Sequence, residues 1–472
     1  MSSPNLIAFL ALALWPVVAW KLWQRLDRGR ALIWTVLGGY LLLPPVAAFN
    51  FPVIPDLDKS TIPNLAALGC ALWLLGDRIS FLPQSLAGKA LILVYILMPF
   101  ATTLTNADPL VFTYRTIPGL RLYDSLASIA YQAIALVPFF LARRYLGSPE
   151  GLRLILGALV GAGLWYSIPM LIEAVMSPQM NVWVYGFFQH DFWQTVRYGG
   201  YRPVVFLPHG LWVAFFAFMA AAAAFAMLRR ARAEDRPKAL LVFLYLAFML
   251  VMCRSAGPIV YALAVVPLIL LLPPRLQMLL AGGMAMLVIA YPTLRGAHLV
   301  PIDQILDFAN SLSPDRAYSL RFRIENEEIL LARAQERPIF GWGGYGRAFT
   351  HDPATGETLN IADGAWVILM GTYGWLGYVA EFGLTALPLL LLAAEALRHP
   401  RAELSPWAGA VALILGANMV DLLPNATHIP FTWLMAGALL GETERLVALR
   451  RDSQAQIRRE GLHAGKPLRT VI

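Results

Sequence analysis

Charge is scarce in this chain of 472 residues, with 14% charged against 58% hydrophobic and a mean hydropathy of +0.60. That balance excludes a water-soluble globule. Cysteine is nearly absent. Cys70 and Cys253 fall in or at the edge of apolar segments, which argues against a disulfide framework or a thiolate metal centre and reads them as packing residues. Metal signatures are missing too: there is no H-E-x-x-H, no Cys/His cluster, and no D-x-D within a soluble α/β domain, so neither a metal nor any other cofactor is expected. Without a P-loop, an ATP-driven transporter is disfavoured. Without short alternating segments, a transmembrane barrel is excluded. No repeat relates the two halves, which weakens a secondary-transporter reading.

What the chain has in quantity is apolar runs of bilayer length, so the class is an all-α polytopic bundle of transmembrane helices. Helices are expected near 6–23, 31–48, 63–82, 86–104, 123–142, 152–173, 204–228, 238–254, 256–273, 276–294, 364–397, 406–424 and 428–447, roughly thirteen in all. The first run has no basic n-region, and Lys21, Arg25, Arg28 and Arg30 follow it. It therefore reads as a retained helix rather than a signal peptide. The chain divides into N-terminal helices (1–294), a large polar loop (295–363), C-terminal helices (364–447) and a basic tail (448–472).

The net charge of +8 needs no nucleic acid, because positive-inside bias accounts for it. Basic loops at Arg25–Arg30, Arg143/Arg144, Arg229–Lys238 and Arg398/Arg401, with the tail from Arg445, alternate with loops poor in lysine and arginine. The first set is expected in the cytoplasm, and 49–62, 105–122, 174–203 and 298–363 on the outside.

The polar stretch holds most of the candidate chemistry. Ser313-Pro314 reads as an N-cap and first helical position, with Pro338 as the stop. Between them Arg321/Glu325 and Arg323/Glu327 are spaced as i,i+4 pairs. A solvated surface helix explains the glutamates, whereas Arg321 and Arg323 are also candidate anion ligands. Gly341, Gly343 and Gly346 formally spell G-x-G-x-x-G, but no βαβ unit surrounds them. They are read as tight turns with close backbone approach, flanked by Trp342 and Tyr345 as stacking platforms and followed by Arg347. Asp363, just before the next apolar run, is either an ordinary N-cap or a carboxylate base.

Elsewhere, the aromatic loop 174–203 carries His190, Asp191, Arg197 and Arg202. Its rings suit interfacial anchoring or stacking on sugars. His209, Glu173 and Arg254 are ionisable groups in or beside apolar runs and so are functional candidates. Asp421 and His428, near the last short turn, are weaker ones.

The stretch RFRIENEEILLARAQERPIFGWGGYG, an outer loop and then DGAWVILMGTYGWLGYVAEFGL resemble the O-antigen ligase and polymerase superfamily. The matching elements are Arg321 to Arg323, Pro338 to Gly346, and Gly374 to Gly377. LDKSTIPNL and RYGGYRPVVFLPHGL are similar to its exopolysaccharide polymerase branch. The resemblance implies a metal-independent, inverting glycosyltransferase of the bacterial inner membrane. Its donor would be an undecaprenyl-pyrophosphate-linked glycan at the periplasmic face, with membrane lipids, a chain-length regulator and a flippase as further partners.

Arg202, Arg254, Arg321 and Arg323 would hold the pyrophosphate, with Arg197 and Arg347 in reserve. Asp363 would be the base, with Glu325 and His209 behind it. Ligases of the family commonly carry histidine where this chain has Asp363, which tilts the reading from ligase to polymerase. A ligase acting on lipid A-core or another acceptor, a polysaccharide or lipid transporter, and a structural membrane subunit are the competing readings.

Overall fold

The structure, a computed structural model, describes residues 3–464 apart from 52–53, 198, 313 and 401–402. It is an all-α bundle, with two two-stranded hairpins and two isolated bridges as the β-structure among the described residues. In chain order the helices are α1 Leu6–Arg25, α2 Arg28–Leu42, α3 Thr61–Gly69, α4 Leu86–Leu104, α5 Leu122–Ala135, α6 Val137–Tyr145, α7 Pro149–Met176, α8 Met180–Tyr185 and α9 Gly210–Arg229. They continue with α10 Arg236–Met252, α11 Ala256–Leu271, α12 Pro274–Gly296, α13 Ile302–Leu312, α14 Pro314–Gln335, α15 Ala365–Arg398, α16 Pro406–Asp421 and α17 Pro430–Ala464.

Among the described residues seven helical segments are long and apolar enough to cross a membrane: α1, α4, α5 with α6, α7, α9, α12 and α15. The segments 61–74, 256–271 and 406–421 are apolar but shorter. The third expected span, 63–82, is cut short. It passes through one π-turn at Cys70–Leu74 and stops before Gly76, whose φ is 62°. At the other extreme, α17 runs well past 447, because Glu442 holds Arg445 at 2.7 Å and no proline or glycine stands between Gly441 and Gly461.

Small residues set the closest packing. On α17, Gly437 and Gly441 form a G-x-x-x-G face against the α6 backbone. A Cβ at Gly437 would stand 2.1 Å from the Phe139 carbonyl oxygen, and one at Gly441 2.4 Å from that of Arg143. The run Ala220–Ala224 in α9 is wholly buried, with Gly163 of α7 set against Ala220.

Each end of the bundle is knitted by its own contacts. At one end the basic loops meet: Arg143 pairs with Glu444 at 2.8 Å, Arg28 with Asp77 at 3.3 Å and Arg450 with Glu395 at 3.0 Å. At the other, the loops 43–60, 105–121, 177–209 and 422–429 join the polar segment 297–364, here called the cap. There Lys59 donates to the Phe206 carbonyl at 2.8 Å, and Thr102 and Asn106 donate to the Phe340 and Gly341 carbonyls at 2.7 and 2.9 Å.

Helix α15 is broken at Gly374 (φ 66°, ψ −162°). The cap segment 338–343 fills the break. Trp342 and Gly343 donate to the Gly371 and Thr372 carbonyls at 2.8 and 2.9 Å, while Trp375 and Leu376 donate to Pro338 and Ile339 at 2.7 and 3.3 Å. Glycine is required on both sides. A Cβ at Gly341 or Gly374 would lie 2.5 Å from the opposing backbone, and both have φ near +66°.

Candidate functional site

The loop that carries Arg197 and Arg202 is fixed by Glu173, in the last turn of α7. One carboxylate oxygen accepts from the Val204 and Val205 amides, each at 2.7 Å, and the other from Met180 at 2.8 Å. Val205 is held at φ 52°, an unusual conformation for a β-branched residue. Glu173, a functional candidate in the sequence, is thus occupied as the brace of this loop.

Beyond the brace, the hairpin of β3 (Val196–Arg197) and β4 (Gly200–Tyr201) meets the turn between α10 and α11. Arg202 is 7% exposed and donates to Ser255 Oγ at 3.2 Å. Its methylenes lie across Gly210, where a Cβ would come within 2.1 Å, so glycine opens α9. Arg254, at φ 50°, reaches the Arg197 carbonyl at 2.7 Å. Its guanidinium covers Gly200 closely enough that a Cβ there would meet it at 2.3 Å.

His209 caps α9. Its Nδ1 accepts the Leu211 amide at 3.0 Å, and its ring centroid lies 4.4 Å from that of His190. Burial first, then the charges of His190, Arg202, Arg323 and Arg197, push its pKa down to about 3. Arginines from two separate segments thus act on one ring. The low pKa also revises the expected role of His209 as a base. The ring is neutral and its acceptor nitrogen is already used, so what it offers is the Nε2–H as a donor.

Arg323 reaches this site from the cap. Its guanidinium lies 3.3 Å from Asp363 Oδ2 and 3.3 Å from Asn425 Oδ1. Asp363 therefore does not cap α15, whose N-cap is Gly364 with no side-chain bond. One turn along α14, Glu327 accepts from Arg295 Nε at 3.1 Å, Tyr291 at 3.2 Å and Trp366 at 3.2 Å. The expected Arg323/Glu327 pair on α14 is replaced by these ties to other elements, and Glu327 is not solvated. Burial raises its pKa more than Arg295 and the other donors lower it. Between Arg323 and Asp363 is a crevice of about 20 Å3, room for a single water.

Several sequence candidates stand elsewhere. Arg321 and Glu325 are exposed on the opposite face of α14, so Glu325 does not share the inward face of Arg323. Arg347 is fully buried and donates to the carbonyls of Trp342, Pro118 and Asp108 at 3.2, 2.9 and 2.9 Å. It clamps the cap to the 105–121 loop and has no donor directed at an anion. Trp342 is 7% exposed, with Arg333 at 3.4 Å and Arg337 at 4.3 Å from its ring, so it is a buried post rather than a sugar platform. Tyr345 is exposed and bonds Asp124 at 2.8 Å. That bond, helped by partial burial, raises its pKa to about 12. Ser313 lies outside the described residues.

Ser255 and Asn425 join the site without having been picked out in the sequence. Each is a common residue in a helix-connecting turn, and only the contact with an arginine marks it.

The fold and this cluster define the protein as a polytopic helical membrane protein with a cationic site beneath a helical cap. No protein-family model matches the chain, and comparison with curated proteins finds no match.

Proposed function

We propose that the protein is a membrane glycosyltransferase that polymerises undecaprenyl-pyrophosphate-linked oligosaccharide repeat units into exopolysaccharide or O-antigen. The observation that carries this reading is the gathering of Arg202 and Arg254 at the 196–201 hairpin, with Arg323 facing Asp363 under the cap; Arg197, Arg202 and Arg323 all act to lower the pKa of His209. A pyrophosphate leaving group departs readily once its charge is neutralised and its position fixed. Arginine forks supply both functions in a partly dry site.

In the proposed step the acceptor hydroxyl attacks the donor's anomeric carbon from the face opposite the phosphate. The new C–O bond forms as the bond to the phosphate oxygen breaks, with inversion. The hydroxyl proton passes to Asp363, and the lipid pyrophosphate leaves as an anion held by the arginines and the His209 Nε2–H. Arg323 faces Asp363 in this state. An arriving phosphate would draw it away and free the carboxylate at the moment it is needed. Because the crevice there is so small, the cap must lift from the 422–429 turn for a sugar to enter. On this reading the site faces the periplasm, the chain lies in the inner membrane and the C-terminus is cytoplasmic.

The test is a glycolipid gel with mass analysis from a strain lacking the protein, complemented with wild type or with Arg202→Ala. Loss of long chains, with single lipid-linked repeats still made, supports the polymerase. Long chains kept on the lipid carrier but missing from the final acceptor replace it with a ligase. Unchanged surface and lipid-linked glycans refute glycosyl transfer.

A further inference from the structure

A second polar cavity, of about 190 Å3, lies within the bundle between α3, α4, α5, α15 and the turn before α17. Its polar centre is a histidine–carboxylate pair that the cationic site does not use. His428 Nδ1 is 2.6 Å from Glu381 Oε1, and the ring packs at 4.6 Å against Trp433. With Nδ1–H donating to the glutamate, the opposite nitrogen of a neutral ring, Nε2, is an acceptor. That nitrogen is buried and has no hydrogen-bond partner.

On the facing helix, Asn64 is 1% exposed and donates its amide to the Ile134 carbonyl at 3.1 Å. Its Oδ1 is likewise buried and without a partner. Both residues line the same cavity, together with Tyr95, Tyr131 and Trp433. Two buried acceptors on side chains that line one space call for donors from something that enters it, since leaving each unmade costs about 1–3 kcal/mol.

We propose that this cavity is a binding site for a neutral, hydroxyl-bearing group, whose hydroxyls donate to His428 Nε2 and Asn64 Oδ1 while its carbon face rests on the aromatic wall. A cation finds only Glu381 as an anionic wall residue, already engaged by His428, and an anion finds two acceptors. A polyol supplies the donors and the apolar face together. Such a group can come from a saccharide ring or from the glycerol of a lipid headgroup. The proposal stands whether or not the reaction proposed above is the right one.

The test uses the full chain in phosphatidylcholine nanodiscs and saturation-transfer NMR to the probe, with a panel of methyl glycosides in one arm and glycerol in the other. Transfer to a probe that falls about fivefold or more in both Asn64→Leu and His428→Phe, but persists in His428→Gln, which keeps a donor to Glu381 and an acceptor, is the expected result. A glycoside response names a saccharide; a response confined to glycerol names a headgroup. Because His428→Gln controls for folding, loss of signal in all three variants with circular dichroism unchanged counts against the acceptor role. No transfer in wild type, or equal transfer in wild type and the two apolar variants, overturns the proposal and leaves a cavity that holds only water.

Discussion

Replacing Glu327 with leucine should detach the cap without unfolding the bundle. Glu327 joins α14 to α12 and α15 through Arg295, Tyr291 and Trp366, and the Arg295 side chain is 5% exposed. Orphaning one member of a buried pair costs about 3–5 kcal/mol. Here Arg295 keeps a second partner, Glu328, at 2.8 Å, but that carboxylate is 58% exposed and compensates only in part. A net loss of about 2–3 kcal/mol in cap attachment follows. In hydrogen exchange, amides of 314–335 protected by docking should then exchange about 30- to 150-fold faster, while those of α9 stay protected. Glu328→Gln, which removes only the exposed partner, should change the same amides by about fivefold or less. Unchanged exchange in Glu327→Leu, or an equal effect from Glu328→Gln, would refute the assignment of Glu327 as the tie.

Three further outcomes follow from the geometry. His209→Asn keeps a capping side chain and removes the titrating ring. The folded ring has a pKa of about 3 against an ordinary 6.5, so the unfolded chain binds the proton more readily in between. Its contribution to stability is complete above 6.5 and is lost as pH falls toward 3. Thermal-inactivation midpoints of wild type should therefore drop through that window more steeply than those of the variant, and parallel curves would contradict this. Gly437→Leu places a side chain where a Cβ already meets the Phe139 carbonyl at 2.1 Å. Its cost should exceed the roughly 1–3 kcal/mol of ordinary overpacking, read as loss of monodisperse protein in gel filtration; normal yield would argue against tight α6–α17 packing. Arg202→Ala should abolish long-chain glycan while protein remains in the membrane. Arg321→Ala, although spacing alone pairs it with Arg323, should retain at least half the product because it lies on the exposed face of α14.

Much of the bundle was legible because length and hydropathy suffice to mark a membrane helix. The face of α14 was legible in principle as well. Leu320, Arg323, Ile324, Glu327, Leu330 and Ala334 recur at helical spacing, and following that stripe through its charged members would have turned Arg323 and Glu327 inward. The i,i+4 pairing rule instead keeps Glu327 on the surface and leaves Arg323 beside Arg321 as a candidate ligand.

What sequence could not supply was the partner of each charge. Asp363 has the position of an N-cap, yet Gly364 takes that place and Asp363 turns to Arg323. Arg347 follows a glycine turn that invites a ligand, yet three carbonyls from segments more than two hundred residues apart in part consume its donors. Glu173 and Arg254 both read as ionisable groups in or beside apolar runs. Only the course of the 177–209 loop separates the brace from the candidate ligand.

The break in α15 bears on how the protein is made. Entering a bilayer alone, this helix would carry two bare carbonyls and two bare amides at residues 371–376, each a matter of several kcal/mol in hydrocarbon. The segment that satisfies them, 338–343, precedes α15 in the chain and so leaves the ribosome first. Biogenesis can thus have the complementary segment waiting when the interrupted helix arrives, and excision of the cap would leave α15 without the partner that its break requires.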